Sequence, residues 1–132
     1  MNKKLNLILI IVWMIFIFIM SSFNADTSSN QSGFIVNIIS NTFNINNIDL
    51  ITLIVRKLAH FTEYFVLGLL IYNYNKNVLK ALIICIIYAI GDEIHQLFIL
   101  GRSFQIKDII IDTLGSITGI LLVYRCKMLN KR

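Results

Sequence analysis

The run from Val78 to Leu100 is long and apolar enough to cross a bilayer, yet it carries Asp92, Glu93, His95 and Gln96. An ionisable side chain in hydrocarbon costs about 2.5 to 3.5 kcal/mol even on lenient insertion scales, so it faces a bundle interior or a wet cavity. That one run points to an all-helical integral membrane protein with a polar site built among its helices. The rest of the composition agrees. With 57% hydrophobic residues and no proline in 132 residues, and a mean hydropathy of +0.76, the chain does not read as a soluble domain with a polar exterior. It reads as one unit over residues 1–132. A net charge of +5 would suggest nucleic acid in a soluble protein. Here the basic residues flank apolar spans, where they orient the chain, and no basic stripe fits a phosphodiester. Cys85 and Cys126 share neither metal-ligand spacing nor membrane depth, so both read as packing residues without a disulfide.

Four spans can be drawn, at about 5–23, 58–74, 78–100 and 108–124. The first follows Lys3 and Lys4 and resembles a signal peptide, but Phe23 stands where a small residue should precede the cut, which favours an uncleaved anchor. Cytoplasmic loops keep the excess of Lys and Arg. With the amino terminus inside, Lys3, Lys4, Lys76, Lys80, Arg125, Lys127, Lys131 and Arg132 are cytoplasmic, against Arg56, Lys57, Arg102 and Lys107 outside. Tyr72, Tyr74 and Tyr124 then meet at the inner interface, and both termini are cytoplasmic.

The longest loop separates the first two spans. Ser21 to Gly33 is rich in Ser and Asn and reads as an exposed external turn region. From Phe34 to Val55, Phe34, Ile35, Ile38, Ile39 and Phe43 recur at helical spacing, with Asn37, Ser40, Asn41 and Asn44 on the other face. That pattern suits a helix on the outer leaflet or an irregular apolar loop.

On this topology the polar residues of three spans collect in the outer leaflet. Arg56, His60 and Glu63 share one face of the second span. Asp92, His95 and Gln96 share a face of the third, and Glu93 lies about 100° round from Asp92, so the two cannot point equally at one centre. Arg102 follows Gly101 outside, and Asp108 and Asp112 open the fourth span one turn apart. Gly115 to Gly119 is a small-xxx-small pattern that would pack this span closely on a neighbour and hold the two aspartates toward the site.

Arg56-Lys57-Leu58-Ala59-His60-Phe61-Thr62-Glu63-Tyr64 with Gly68, then Asp92-Glu93-Ile94-His95-Gln96, then Gly101-Arg102, Asp108, Asp112, Gly115 and Gly119 resemble the signature of the VanZ-like family. The resemblance runs over roughly residues 50 to 120 in order and spacing; Leu100 departs from it, standing where the family's loop often has proline. It implies a small multi-pass bacterial membrane protein, its founding member being associated with low-level teicoplanin resistance, and it supplies no reaction.

Three chemistries fit the residues. A catalytic centre on a lipid-linked envelope molecule would use His60 or His95 as general base beside Glu63, Asp92 or Glu93. Arg56, Lys57 and Arg102 would clamp a phosphate, with Gln96, Asp108 and Asp112 completing a substrate site. No Ser or Cys nucleophile stands beside a base, so a covalent intermediate would fall to a carboxylate. A metal site could pair His60 with Glu63 and Asp92 with His95, but the neighbouring cations repel a divalent ion, so no metal or other cofactor is expected. Finally, the charges could be interhelical links alone, in a binding or scaffold protein without turnover. Concentration in one leaflet favours a pocket. The expected partners are the lipid bilayer and a lipid-linked wall precursor, a teichoic-type polymer or an acylated glycopeptide such as teicoplanin, with no nucleic acid. With the resemblance, the expected role is glycopeptide tolerance or cell-envelope modification.

Overall fold

A computed structural model describes residues 2–43 and 47–129. Among these, five helices and no strands form: α1 Lys3–Ser21, α2 Ala25–Phe43, α3 Ile48–Asn75, α4 Val78–Gln96 and α5 Ile106–Leu129. In a chain without proline, asparagine supplies the punctuation. Asn2, Asn47 and Asn77 cap α1, α3 and α4, each side-chain oxygen accepting a backbone N–H from the first turn, and Asn24 accepts from the N–H of Thr27 at the head of α2. α3 ends on Lys76, which adopts the left-handed conformation (φ 59°) and closes its N–H on the Tyr72 carbonyl.

The helices follow the expected spans with three differences. α3 begins at Ile48, ten residues ahead of the expected 58, because Asn47 and the first-turn Asp49 favour an earlier start. α4 stops at Gln96 and gives way to turns through Gly101 (φ 74°). Of the stretch from Ser21 to Gly33, only residues 22–24 form a turn: α2 starts at Ala25, since Ser and Asn cost only a few tenths of a kcal/mol each in a helix and Asn24 caps the start. The expected segment 34–55 accordingly divides between α2 and α3. Phe34, Ile35 and Ile38 of α2 stay exposed, and Val36 is the residue that packs inward. The side chain of Phe43, together with Asn44, Lys131 and Arg132, lies outside the described residues.

α3 is the centre of the bundle and contacts all four other helices. Its closest partner is α5. A Cβ built on Gly115 would lie 2.3 Å from the Phe61 carbonyl oxygen, and one on Gly119 would lie 2.0 Å from that of Phe65. The backbones therefore touch, as the small-xxx-small pattern predicts. This contact fixes the register that sets Asp108 and Asp112 beside Lys57 and His60. α1 lies against α3 and α4, where the Trp13 indole N–H donates to the Glu63 carbonyl (2.9 Å) and the Tyr88 hydroxyl to that of Met14 (2.6 Å). Trp13 thus ties two helices together.

Burial is inverted relative to a soluble protein. Large aliphatic side chains such as Ile8, Val12, Leu79, Ile87, Ile110 and Leu121 are exposed, while Glu93, Asp112, Ser116 and Gln96 are buried. An apolar core of Tyr64, Leu67, Ile71, Cys85, Ala89 and Ile120 lies deeper in the bundle. Cys85 and Cys126 are both free, and Cys126 is exposed, so only Cys85 packs. At the end away from the polar cluster, Tyr72 and Tyr124 meet edge to face, and Lys3 and Lys127 lie over the rings of Tyr74 and Tyr72. The three tyrosines thus gather at one end, as expected. Among the described residues, only Lys3–Ser21 is by length and composition apolar enough to cross a membrane; α3, α4 and α5 carry the ionisable residues of the site.

Candidate functional site

The C-terminal ends of α1 and α4 meet the N-terminal halves of α3 and α5, which gathers the polar residues into adjoining clusters. The first links α3 to α5. Lys57 pairs with Asp108 and reaches Gln105 Oε1 at 3.4 Å. One turn on, His60 Nδ1 stands 3.4 Å from Asp112 Oδ1. Glu93 of α4 points into this group. Its Oε2 accepts the Gln105 N–H (2.8 Å), its other oxygen is buried, and a carboxylate oxygen of Glu93 lies within 4.8 Å of ligand atoms of His60 and Asp112.

A second cluster faces α1. Asp92 accepts from Gln96 Nε2 (3.4 Å), and the Ser21 hydroxyl turns toward it without making a hydrogen bond of ordinary geometry. The angular offset between Asp92 and Glu93 thus gives them different partners, Gln96 for Asp92 and the Gln105 N–H for Glu93. His95 joins neither His60 nor Glu63. Its ring stacks on Phe18 (centroids 4.4 Å apart) and its Nε2 meets Ser22 Oγ at 3.0 Å. The alternative that paired His60 with Glu63 and Asp92 with His95 around a metal does not form as one centre, because His95 turns to Phe18 and Ser22.

Arg102 bridges the clusters. Its Nε donates to the Phe23 carbonyl (3.1 Å) and its Nη1 to Gln96 Oε1 (3.3 Å), so Gln96 is engaged at both ends of its amide and acts as a link. Burial, and after it the neighbouring Arg56, lowers the Arg102 pKa from its ordinary value. Arg56, Arg102, His60 and Glu63 line a cleft of about 60 Å³ beside Ser21. A wider cleft of about 230 Å³ opens on the other side of Arg56 and His60, against Lys57, Gln105 and Asp108. Arg56 itself makes no hydrogen bond or ion pair among the described residues. A third space, about 390 Å³ and mostly apolar, runs between α1 and α4 past Phe18, Ile87 and Gly91 to Asp92 and His95.

The sequence reading drew the pocket from the second, third and fourth spans and missed the first. Ser21, Ser22 and the Phe23 carbonyl belong to it. The available signal was the Ser21-Ser22 pair closing an otherwise apolar run. Gln105 was missed as well, because its backbone N–H does the work and any residue but proline supplies one. Tyr64 is fully buried in the core beside Tyr88, its hydroxyl without a partner among the described residues. Phe65 is half-buried where its backbone meets Gly119.

Such a fold, apolar outside with ionisable groups gathered within one end, defines a class of small helical proteins built around an internal polar site. The chain belongs to the VanZ/LLP1 family, whose model matches residues 6–128. No curated protein and no solved structure gives a significant match.

Proposed function

We propose that the chain is a four-span protein of the bacterial cytoplasmic membrane, with both termini inside and its polar pocket opening to the outer leaflet. There it binds the phosphate of a lipid-linked envelope molecule and so contributes to glycopeptide tolerance of the teicoplanin kind. The observation that carries this reading is Arg56, a guanidinium without a partner among the described residues, next to Arg102 on the wall of one cleft. Two like charges held together favour an anion, and guanidinium forks suit phosphate oxygens. The inverted burial supports the membrane, since exposed apolar surface on this scale is unfavourable in water. The apolar groove ending at Asp92 and His95 supports a lipid-linked ligand, because an acyl or prenyl tail would fill it. The Lys57–Asp108 pair favours a second reading, in which polar residues only link helices.

Vesicles doped with a polyprenyl phosphate, compared with vesicles carrying the uncharged polyprenol, test the proposal. The full chain is expected to prefer the phosphate, and Arg56→Gln to weaken that preference at least tenfold, a loss of about 1.4 kcal/mol. Gly91→Leu probes the tail. A Cβ at Gly91 meets nothing within 4 Å, so leucine enters the groove without a clash and should weaken binding while melting temperature holds or rises with helix propensity. Equal binding of phosphate and alcohol sinks the reading.

Topology is tested separately. A phosphatase fused after Asn75 should stay inactive and one fused within the loop at Ser103 should be active, following the positive-inside bias. The reverse pattern would move the pocket to the inner leaflet.

A further inference from the structure

We infer that His60, Glu93 and Asp112 form a binding site for one divalent transition-metal ion. This goes beyond the lipid reading and does not depend on it. Each residue comes from a different helix: α3, α4 and α5. One ligand atom from each, an imidazole nitrogen and two carboxylate oxygens, lies within 4.8 Å of the other two. Glu93 and Asp112 are both 0% exposed. Yet, among the described residues, Glu93 Oε1 and Asp112 Oδ2 have no partner, and His60 Nδ1 and Asp112 Oδ1 face each other only as an ion pair at 3.4 Å, without hydrogen-bond geometry. Buried polar atoms are ordinarily satisfied, because leaving one unpaired costs about 1 to 3 kcal/mol and more for a charged group. Such atoms on three residues that each bring a ligand atom within 4.8 Å of the other two call for a shared partner, and two carboxylates beside an imidazole call for a positive one.

The geometry and the surroundings fit. Around a tetrahedral ion with bonds of about 2.0 to 2.1 Å, ligand atoms stand about 3.3 Å apart. His60 Nδ1 and Asp112 Oδ1 are already at 3.4 Å, and the Glu93 ligand atom, within 4.8 Å of those of both residues, has to close inward. Glu93 is held by the Gln105 N–H on its other oxygen, the kind of outer hydrogen bond that orients a ligating carboxylate. The cations that argued against a metal are directed elsewhere: Lys57 to Asp108, Arg102 to Phe23 and Gln96, and Arg56 into the cleft. Both clefts that touch Arg56 also touch His60, which gives an ion a route in. A mixed set of one nitrogen and two oxygens suits zinc or manganese better than magnesium or calcium. Three protein ligands leave a tetrahedral ion one position for an exogenous oxygen.

The test uses the full chain in mild detergent, stripped with chelator and titrated with Zn²⁺ and separately with Mn²⁺, without lipid. Bound metal is measured by elemental analysis and stability by thermal melting. We expect at least one of the two ions to bind at one per chain and raise the melting temperature. Glu93→Gln and Asp112→Asn should each weaken binding at least tenfold, and His95→Gln should retain it, because that histidine lies on the other side of α4. Helicity and monodisperse elution establish that the variants are folded; if Asp112→Asn is not, Glu93→Gln and the wild-type stoichiometry still decide. A wild-type chain that holds neither ion at one per chain overturns the inference. So does a folded Glu93→Gln variant that binds like wild type, or equal loss in His95→Gln. Because no lipid is present, failure here leaves the phosphate reading untouched, and failure of that reading leaves the metal site standing.

Discussion

Gly119→Leu is expected to leave little folded protein, with helicity in detergent melting far below wild type or the chain lost from membranes altogether. The added side chain would start 2.0 Å from the Phe65 carbonyl oxygen, and backbone has no rotamer by which to move aside. Overpacking of a flexible core costs about 1 to 3 kcal/mol; against rigid backbone the cost should sit at or above the top of that range. The helices must separate, and with them go the partners of Lys57 and His60. Gly115→Leu should behave alike, since its Cβ meets the Phe61 carbonyl oxygen at 2.3 Å. The contrast is Gly91→Leu, where the same substitution on α4 enters open space. Near wild-type melting of Gly119→Leu would mean that α3 and α5 do not pack backbone to backbone.

Lys57→Met is expected to destabilise the chain by about 3 kcal/mol, because it strands the carboxylate of Asp108 without its cation. That figure is the low end for a buried pair, chosen because the Lys57 side chain keeps 23% exposure while Asp108 keeps 5%. The double variant Lys57→Met with Asp108→Leu removes both charges and should recover most of the loss, as replacement of an ion pair by apolar side chains often does. Thermal melting of the single and double variants measures the coupling. Binding to the polyprenyl phosphate vesicles, measured on the same proteins, then separates two roles. If the double variant recovers both stability and binding, this pair is an interhelical link. If it recovers stability alone, Lys57 and Asp108 also meet the ligand. A single variant as stable as wild type would remove the pair from any account of the fold.

Much of this architecture is legible from residue type and spacing, because each signal is local. Aliphatic-rich runs mark α1 and most of α3, α4 and α5 as helices, although among the described residues only α1 is by length and composition apolar enough to cross a membrane. The Gly115-xxx-Gly119 pattern already implies a close helix contact, because absence of a side chain is a property of the residue. The 100° between Asp92 and Glu93 implies that they part company. Local composition misled where propensity is weak. Residues 25–33 look like a turn region and are helical, because the cap at Asn24 outweighs small intrinsic preferences.

What the sequence by itself determined is the all-helical character, the approximate extent of four of the helices, and the placing of ionisable residues toward one end. Those properties follow from hydropathy, helical period and the cost of isolated charge. Only the tertiary structure decided which groups meet. The sequence offered His60 with Glu63 and Asp92 with His95; packing instead joins His60 to Asp112 and Glu93, and sends His95 to Phe18 and Ser22 of α1. The physical reason is rotation. A helix presents all its faces in one sequence, and which face meets which neighbour is fixed by contacts far apart in the chain, here the touch of Gly115 and Gly119 on α3 and the tie of Trp13 to Glu63.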